Sequence, residues 1–333
     1  SDVYKRQGYK LNTSYQGNYN STDLSSNPEM ILYKAYKEGL LMHSTIDYTC
    51  SSTQISGMSK NAFESYLFKD GKPMALTSLN KSDEAPFQYG HLSLKDILAV
   101  RDKRLAQTID TVLLYNGRGF TRFNTGMEST SSTGYGVAKY DNEAIPEGFR
   151  SQSGKNYTHA PLFWLSVIYL NYAEACAELG NITQDDLDKS INLLKDRAGL
   201  PHLSPIVGFS DPANNHGVSD LIWEIRRERR CELMFDNDNR YWDLIRWHQL
   251  DKLDTTKYPD IILGANVAND MDGCEANKVG KYIDGSKDGS RIYDKKHYLY
   301  PIPTGQIALN PQLAPNNPCL LYTSPSPRDR TRS

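Results

Sequence analysis

Residues 224–247 read Glu-Ile-Arg-Arg-Glu-Arg-Arg-Cys-Glu-Leu-Met-Phe-Asp-Asn-Asp-Asn-Arg-Tyr-Trp-Asp-Leu-Ile-Arg-Trp, with Trp223 immediately before them. A solvated charged face does not carry that much aromatic and aliphatic area. If Glu228, Arg229 and Glu232 lie on a helix that also buries Ile225, Leu233 and Phe235, several of the charges leave water, and a desolvated charge persists only when paired. The stretch is read as an internal ion-pair scaffold made by Glu228, Arg229, Glu232, Arg240, Asp243 and Arg246.

The surrounding pattern is helical from Leu162 to about Leu250. Leu165, Ile168, Tyr169, Tyr172, Ala173, Cys176 and Leu179 recur at one-turn spacing, and Gly180 supplies a left-handed C-terminal residue. Thr183, with Asp186 three residues on, is an N-cap for a second helix striped by Leu187, Ile191, Leu194 and Ala198 and stopped by Gly199 and Pro201. These two helices form a hairpin of about the length of one tetratricopeptide unit, which cannot bury its own face without neighbours. A third helix is expected from Ser219 as N-cap to about Phe235. Asn237 and Asn239 suit a tight left-handed turn, and a short fourth helix covers Tyr241–His248. Residues 8–160, rich in Ser, Thr, Asn, Gly and Tyr, read as loops with short helices and few short strands. The run from Tyr298 to Ile307, holding Pro301 and Pro303, reads as extended. The expected fold class is mainly α, a tetratricopeptide-like helical repeat with extensive irregular loops.

Both ends look foreign. Val3–Gln7 can be encoded by GTG TAT AAG AGA CAG, and the reverse complement of that stretch, shifted by one base, encodes Cys319-Leu320-Leu321-Tyr322-Thr323. Two ends of a natural protein have no reason to be complementary, so residues 1–7 and 319–333 are expected to be adapter-derived and are set aside. That leaves a loop-rich region at 8–160 and a helical region at 161–318. Removing five Lys/Arg and two Asp with the ends takes 38 basic and 40 acidic residues to 33 and 38. Mild acidity without a basic tract argues against nucleic acid as a partner, and no apolar run is long enough to span a bilayer. Cys50, Cys176, Cys231 and Cys274 show no Cys-x-x-Cys spacing and read as free thiols.

Catalytic patterns are missing. Glu224, Glu228 and Glu232 sit one helical turn apart, but glycosidic chemistry needs two carboxyls facing each other across a cleft. Pairing with Arg227, Arg229, Arg240 and Arg246 is the simpler expectation. Asp236–Asn239 opens like a calcium loop yet lacks the Gly and closing Glu that such a loop requires, so an Asx turn is expected. Scattered histidines form no metal pair, and there is no phosphate loop or nucleophile elbow. No catalytic residue, metal or cofactor is assigned. Tyr residues in the loop-rich half offer flat amphipathic faces suited to sugar rings or protein partners.

Several short motifs, in order, resemble the SusD/RagB-like nutrient-binding lipoproteins of the Gram-negative outer membrane. They are Asn27-Pro28-Glu29-Met30-Ile31-Leu32, Arg101-Asp102-Lys103-Arg104-Leu105, Thr133-Gly134-Tyr135 with Lys139-Tyr140, and Tyr169–Ala175 with Ile191-Asn192 and Arg197-Ala198-Gly199-Leu200. The block Glu228-Arg229 to Trp247 and the Pro301–Pro303 and Asn310-Pro311 to Asn317-Pro318 stretches complete the set. Lys103 stands where the family usually has Pro, and Asp236–Asn239 lacks the usual Gly.

The resemblance implies a C-terminal portion of a surface lipoprotein whose N-terminal lipid anchor and first helices are missing here. It also implies non-catalytic capture of oligosaccharides for import through a partner TonB-dependent transporter. Tyr48, Phe87 and Tyr89 are the expected glycan-stacking residues. The alternatives are an adaptor that docks on the transporter without binding glycan, a peptide-binding member of the family and, last, a glycosidase.

Overall fold

A computed structural model describes residues 8–51, 56–79, 94–114, 121–122, 128–129, 131–236, 238–268, 278–286 and 289–314. The ends read as adapter-derived lie outside the described residues. The chain separates into two compact units. The first is Ser1–Asp236 with Asp260–Asp288, and the second is Asn237–Pro259 with Gly289–Ser333.

In the first unit the loop-rich half contributes single-turn or two-turn helices: α1 (Gly17–Asn20), α2 (Thr45–Cys50), α3 (Lys60–Glu64), α4 (Lys95–Ala99), α5 (Lys103–Ala106) and α6 (Glu147–Arg150). Its strands are β1 (Met30–Lys34), β2 (Ile109–Leu114), β3 (Thr121–Arg122), β4 (Glu128–Ser129), β5 (Gly134–Val137) and β6 (Ala160–Trp164). They pair antiparallel in twos: β1 with β6, β2 with β5, and β3 with β4. Leu162, read as the start of a helix, instead lies in β6. The Met30↔Trp164 and Lys34↔Ala160 pairings with β1 hold the segment extended.

The long helix α7 (Leu165–Glu178) buries Leu165, Tyr169 and Ala173 of the expected stripe together with Leu170 and Ala177, while Ile168, Tyr172 and Cys176 are only partly buried, Leu179 is exposed, and Gly180 follows at φ 72°. The second helix is broken in two, α8 (Gln184–Asp188) and α9 (Ile191–Ala198). Thr183 forms a reciprocal capping box with Asp186 at its start. The break follows from local competition: Ser190 Oγ donates to Asp186 O at 2.5 Å, and Asn192 exchanges hydrogen bonds with the Leu203 backbone at 2.7 and 3.0 Å. Gly199 at φ 73° ends α9.

Helix α10 (Asp220–Glu232) starts at the expected cap, with Ser219 Oγ accepting from Ile222 N. It stops before Phe235, which is half exposed rather than buried and sits at φ 68°. The sheet β7 (Leu263–Asn266), β9 (Tyr282–Asp284) and β8 (Lys278–Val279), in that order, completes the unit. Phe63, Tyr66, Ile97, Leu105, Tyr135, Val267 and Ile283 form one core, with Phe63 and Tyr135 stacked at 4.3 Å. Tyr15, Tyr19, Met30, Trp164, Tyr169 and Leu233 form another.

In the second unit, α11 (Asn239–Arg246) begins two residues earlier than expected. The left-handed residue before it is Asp238, at φ 54°, rather than Asn239, and Asn237 lies outside the described residues. The helix ends before His248 at φ 53°. The Tyr298 hydroxyl accepts from Leu250 N, and Thr255 and Arg291 exchange hydrogen bonds at 2.8 and 2.9 Å. The tail is extended only at Leu299–Pro303. Thr304–Leu309 turns into helix α12, with Pro303 at the N-cap, where a missing N–H costs nothing. Of the four thiols, Cys50 and Cys231 are buried and Cys176 partly so, all unbridged, while Cys274 lies outside the described residues.

Candidate functional site

The charges of α10 find partners far along the chain. Arg104 Nη1 reaches Glu228 Oε1 and Glu232 Oε2, while its Nε and Nη2 bind Asp102 at 3.0 and 2.6 Å. Asp102 also caps α5 by accepting from Arg104 N at 2.9 Å. Arg197 bridges Glu232 to Glu29, the second contact at 2.7 Å. Glu29, fully buried, further accepts from Asn12 N, Asn18 Nδ2 and Ser166 Oγ. Lys195 Nζ lies 3.7 Å from Glu228.

Four carboxylates thus share two guanidiniums and one ammonium out of water, with neutral donors added at Glu29. Burial alone would discharge Arg104, yet Asp102, Glu228 and Glu232 outweigh it and hold its pKa well above the ordinary value. Burial likewise pushes Glu232 up, but Arg197 and Arg104 reverse the sign and leave it below the usual carboxylate range.

A second pair lies beside it. Lys139, fully buried, donates to Asp236 Oδ1 and Met234 O at 2.7 Å each, with its amine 3.6 Å from the centre of the Tyr19 ring. Tyr140 donates to the Phe235 carbonyl and the Asp236 carboxylate. Asp236 is thereby an ion-pair partner of Lys139.

Of the six residues expected to form the scaffold, Glu228 and Glu232 lie in this network. Their partners are Arg104, Arg197 and Lys195, not the helical neighbours Arg227 and Arg229. Arg227 pairs with Glu224, as their helical spacing leads one to expect, and also with Asp211, and Arg229 donates to Asn171 Oδ1 at 2.8 Å. Arg240, Asp243 and Arg246 belong to the second unit, where Arg246 Nε binds Asp243 Oδ1 at 2.8 Å and Arg240 lies over the Trp247 ring. The residues that sequence reasoning left without a role, Glu29, Asp102, Arg104, Lys139 and Arg197, all sit inside the family-like motifs. That co-occurrence was the available signal.

An exposed aromatic surface offers different chemistry. Tyr48 projects from α2 and is 44% exposed. Below it, Ile46 and Cys50 are buried with Val137 and Ile145. The helix is fastened by Asn156, whose Oδ1 accepts from Asp47 N and whose backbone exchanges hydrogen bonds with His43 at 2.8 and 2.9 Å. Around the ring stand hydroxyls: Ser153 Oγ lies 3.3 Å from the Tyr48 hydroxyl and 3.1 Å from Ser44 Oγ. Tyr36 meets His43 edge-on at 4.5 Å, and Tyr33 stacks on His159 at 5.4 Å. His43 Nε2 lies 2.8 Å from Thr158 O, and burial lowers its pKa. Phe87 and Tyr89, the other two expected stacking residues, lie outside the described residues.

The fold has solved relatives. A SusD-like carbohydrate-binding protein from Bacteroides fragilis superposes with a TM-score of 0.66 at 24% identity, over 94% of this chain and 59% of that one. A second SusD-like protein from Bacteroides fragilis gives 0.58 at 22% identity, over 92% and 58%. This chain therefore spans less than two thirds of the length of either. No match was found among the curated proteins. The model of the SusD family matches residues 4–319, and the chain belongs to that family.

Proposed function

We propose that this protein binds oligosaccharides at the cell surface, without chemistry, for import through a TonB-dependent outer-membrane transporter. Family membership over residues 4–319 is the observation that carries this reading. It is supported by the likeness to a SusD-like carbohydrate-binding protein. The aromatic and hydroxyl surface around Tyr48 has the chemistry a pyranose needs, an apolar face for the ring C–H groups and hydroxyl partners at its edge. Glu224, Glu228 and Glu232, the carboxylates spaced one turn apart, are each held by a cation. Attachment to the outer membrane through an N-terminal lipid is part of the proposal, and among the described residues no helix is long and apolar enough to cross a membrane. The hairpin of α7 with α8 and α9, packed against α10, is proposed as a tetratricopeptide-like element.

Titration calorimetry against a glycan panel, on the protein carrying its native N-terminal portion, tests the reading. Replacing Tyr48, Phe87 and Tyr89 together by Ala is expected to weaken the best ligand by about tenfold or more, equivalent to ~1.4 kcal/mol. Unchanged affinity sinks the site, and a silent panel combined with capture of a transporter favours the docking adaptor.

A further inference from the structure

The second unit carries an aromatic surface of its own. Trp242 on α11 is 54% exposed and Tyr300 on the extended Leu299–Pro303 segment is 70% exposed. They are linked through Tyr241, whose ring meets the Trp242 ring at 5.5 Å and 67° and whose hydroxyl lies 3.4 Å from that of Tyr300. The supporting backbone is stiff on both sides. One side is a helix, and the other is held by Pro301 and Pro303 and by the Tyr298 hydroxyl, which accepts from Leu250 N at 3.1 Å. Large aromatic faces held in water by rigid elements lose little conformational entropy on binding.

The chemistry of the surround selects the ligand. Two phenol hydroxyls stand between the rings, and Arg246 is paired with Asp243 at 2.8 Å, so its charge is already matched. Flat apolar faces and neutral hydroxyl partners fit a neutral oligosaccharide.

We propose that Trp242, Tyr241 and Tyr300 of the second unit form a further carbohydrate-binding surface on which neutral sugar rings stack. This rests on the glycan-binding reading above. Maltohexaose, xylohexaose, mannohexaose and a fructan hexasaccharide serve as probes, followed both by calorimetry and by tryptophan fluorescence. The wild-type protein is expected to show a fluorescence change with its ligand. Trp242→Phe, which keeps a stacking ring, removes that change while affinity stays within about threefold. Trp242→Ala with Tyr300→Ala lowers affinity about tenfold. The triple variant lacking Tyr48, Phe87 and Tyr89 keeps the Trp242 signal at higher sugar concentration.

Binding unaffected by Trp242→Ala with Tyr300→Ala, yet abolished in the triple variant, overturns this inference and leaves the glycan-binding reading standing. Absence of any binding by the wild-type protein overturns both. Trp242 shielded from acrylamide in the sugar-free, full-length protein also overturns the inference, since another segment or partner then covers the ring.

Discussion

At the scale of single residues, two buried carboxylates pull the pH dependence of stability in opposite directions. Glu232 is held below its ordinary pKa by Arg197 and Arg104 against the opposing effect of burial. Its contribution is therefore present above the unfolded value of about 4.3 and is lost as pH falls through the folded one. Urea unfolding of the wild-type protein is expected to show stability dropping below about pH 4.3, and Glu232→Gln should flatten that limb while lowering stability at neutral pH. An acid limb as steep in Glu232→Gln as in the wild type would contradict this assignment. Asp110 behaves conversely: burial, with help from Asp141, lifts its pKa to about 6 despite hydrogen bonds from Val112 N and Thr111. Its folded form keeps a proton that the unfolded form releases, so its contribution is fully present below about pH 3.9 and is lost as pH rises through about 6. Asp110→Asn keeps an acceptor for Val112 N and is expected to stabilise the protein at pH 7.5 by on the order of 2 kcal/mol. The gain should vanish below about pH 4, and equal gain at both pH values would contradict the cause given.

At the scale of elements, the close approach of β7 to the backbone at Thr133 is decided by a glycine. A Cβ on Gly264 would collide with the Thr133 carbonyl, which accepts from Ala265 N at 2.8 Å, and backbone cannot step aside as a side chain can. Gly264→Ala is expected to cost about 3 kcal/mol in a denaturant titration. Gly180→Ala, left-handed but in open space, should cost only about 1 kcal/mol. Equal losses would contradict the clash. What could be read from the sequence divides between such local constraints and distant ones. Caps and stops are local, so Thr183 with Asp186, Ser219, Gly180 and Gly199 were legible directly. The burial of Glu228 and Glu232 was legible because charged and aromatic residues are interleaved along one stretch. Their partners were not, since Arg104 lies 124 and 128 residues away from them and helical spacing names only neighbours. The strand β6 was hidden for the same reason, because its pairing partner β1 lies far upstream. The break at Ser190 needed knowledge of where Leu203 returns. For the aromatic surface, Tyr48 could be singled out by composition and position, but Asn156, which fastens its helix, carries no signal in an Asn-rich region.

At the scale of the whole molecule, the motifs that mark the family build one buried polar network. Glu29, Asp102, Arg104, Arg197, Glu228 and Glu232 come from four separate stretches of sequence and meet in the interior of the first unit. The network is proposed as scaffold, and the exposed aromatic residues are proposed to do the binding. Removing one member strands opposite charges out of water, so Arg104→Gln is expected to lower stability by about 3–5 kcal/mol. The most direct test is oligosaccharide titration of Arg104→Gln under conditions where it remains folded. Affinity within about twofold of wild type, alongside a lowered unfolding midpoint, is the expected result. Lost affinity with an unchanged midpoint would contradict it and place the ligand on the network itself.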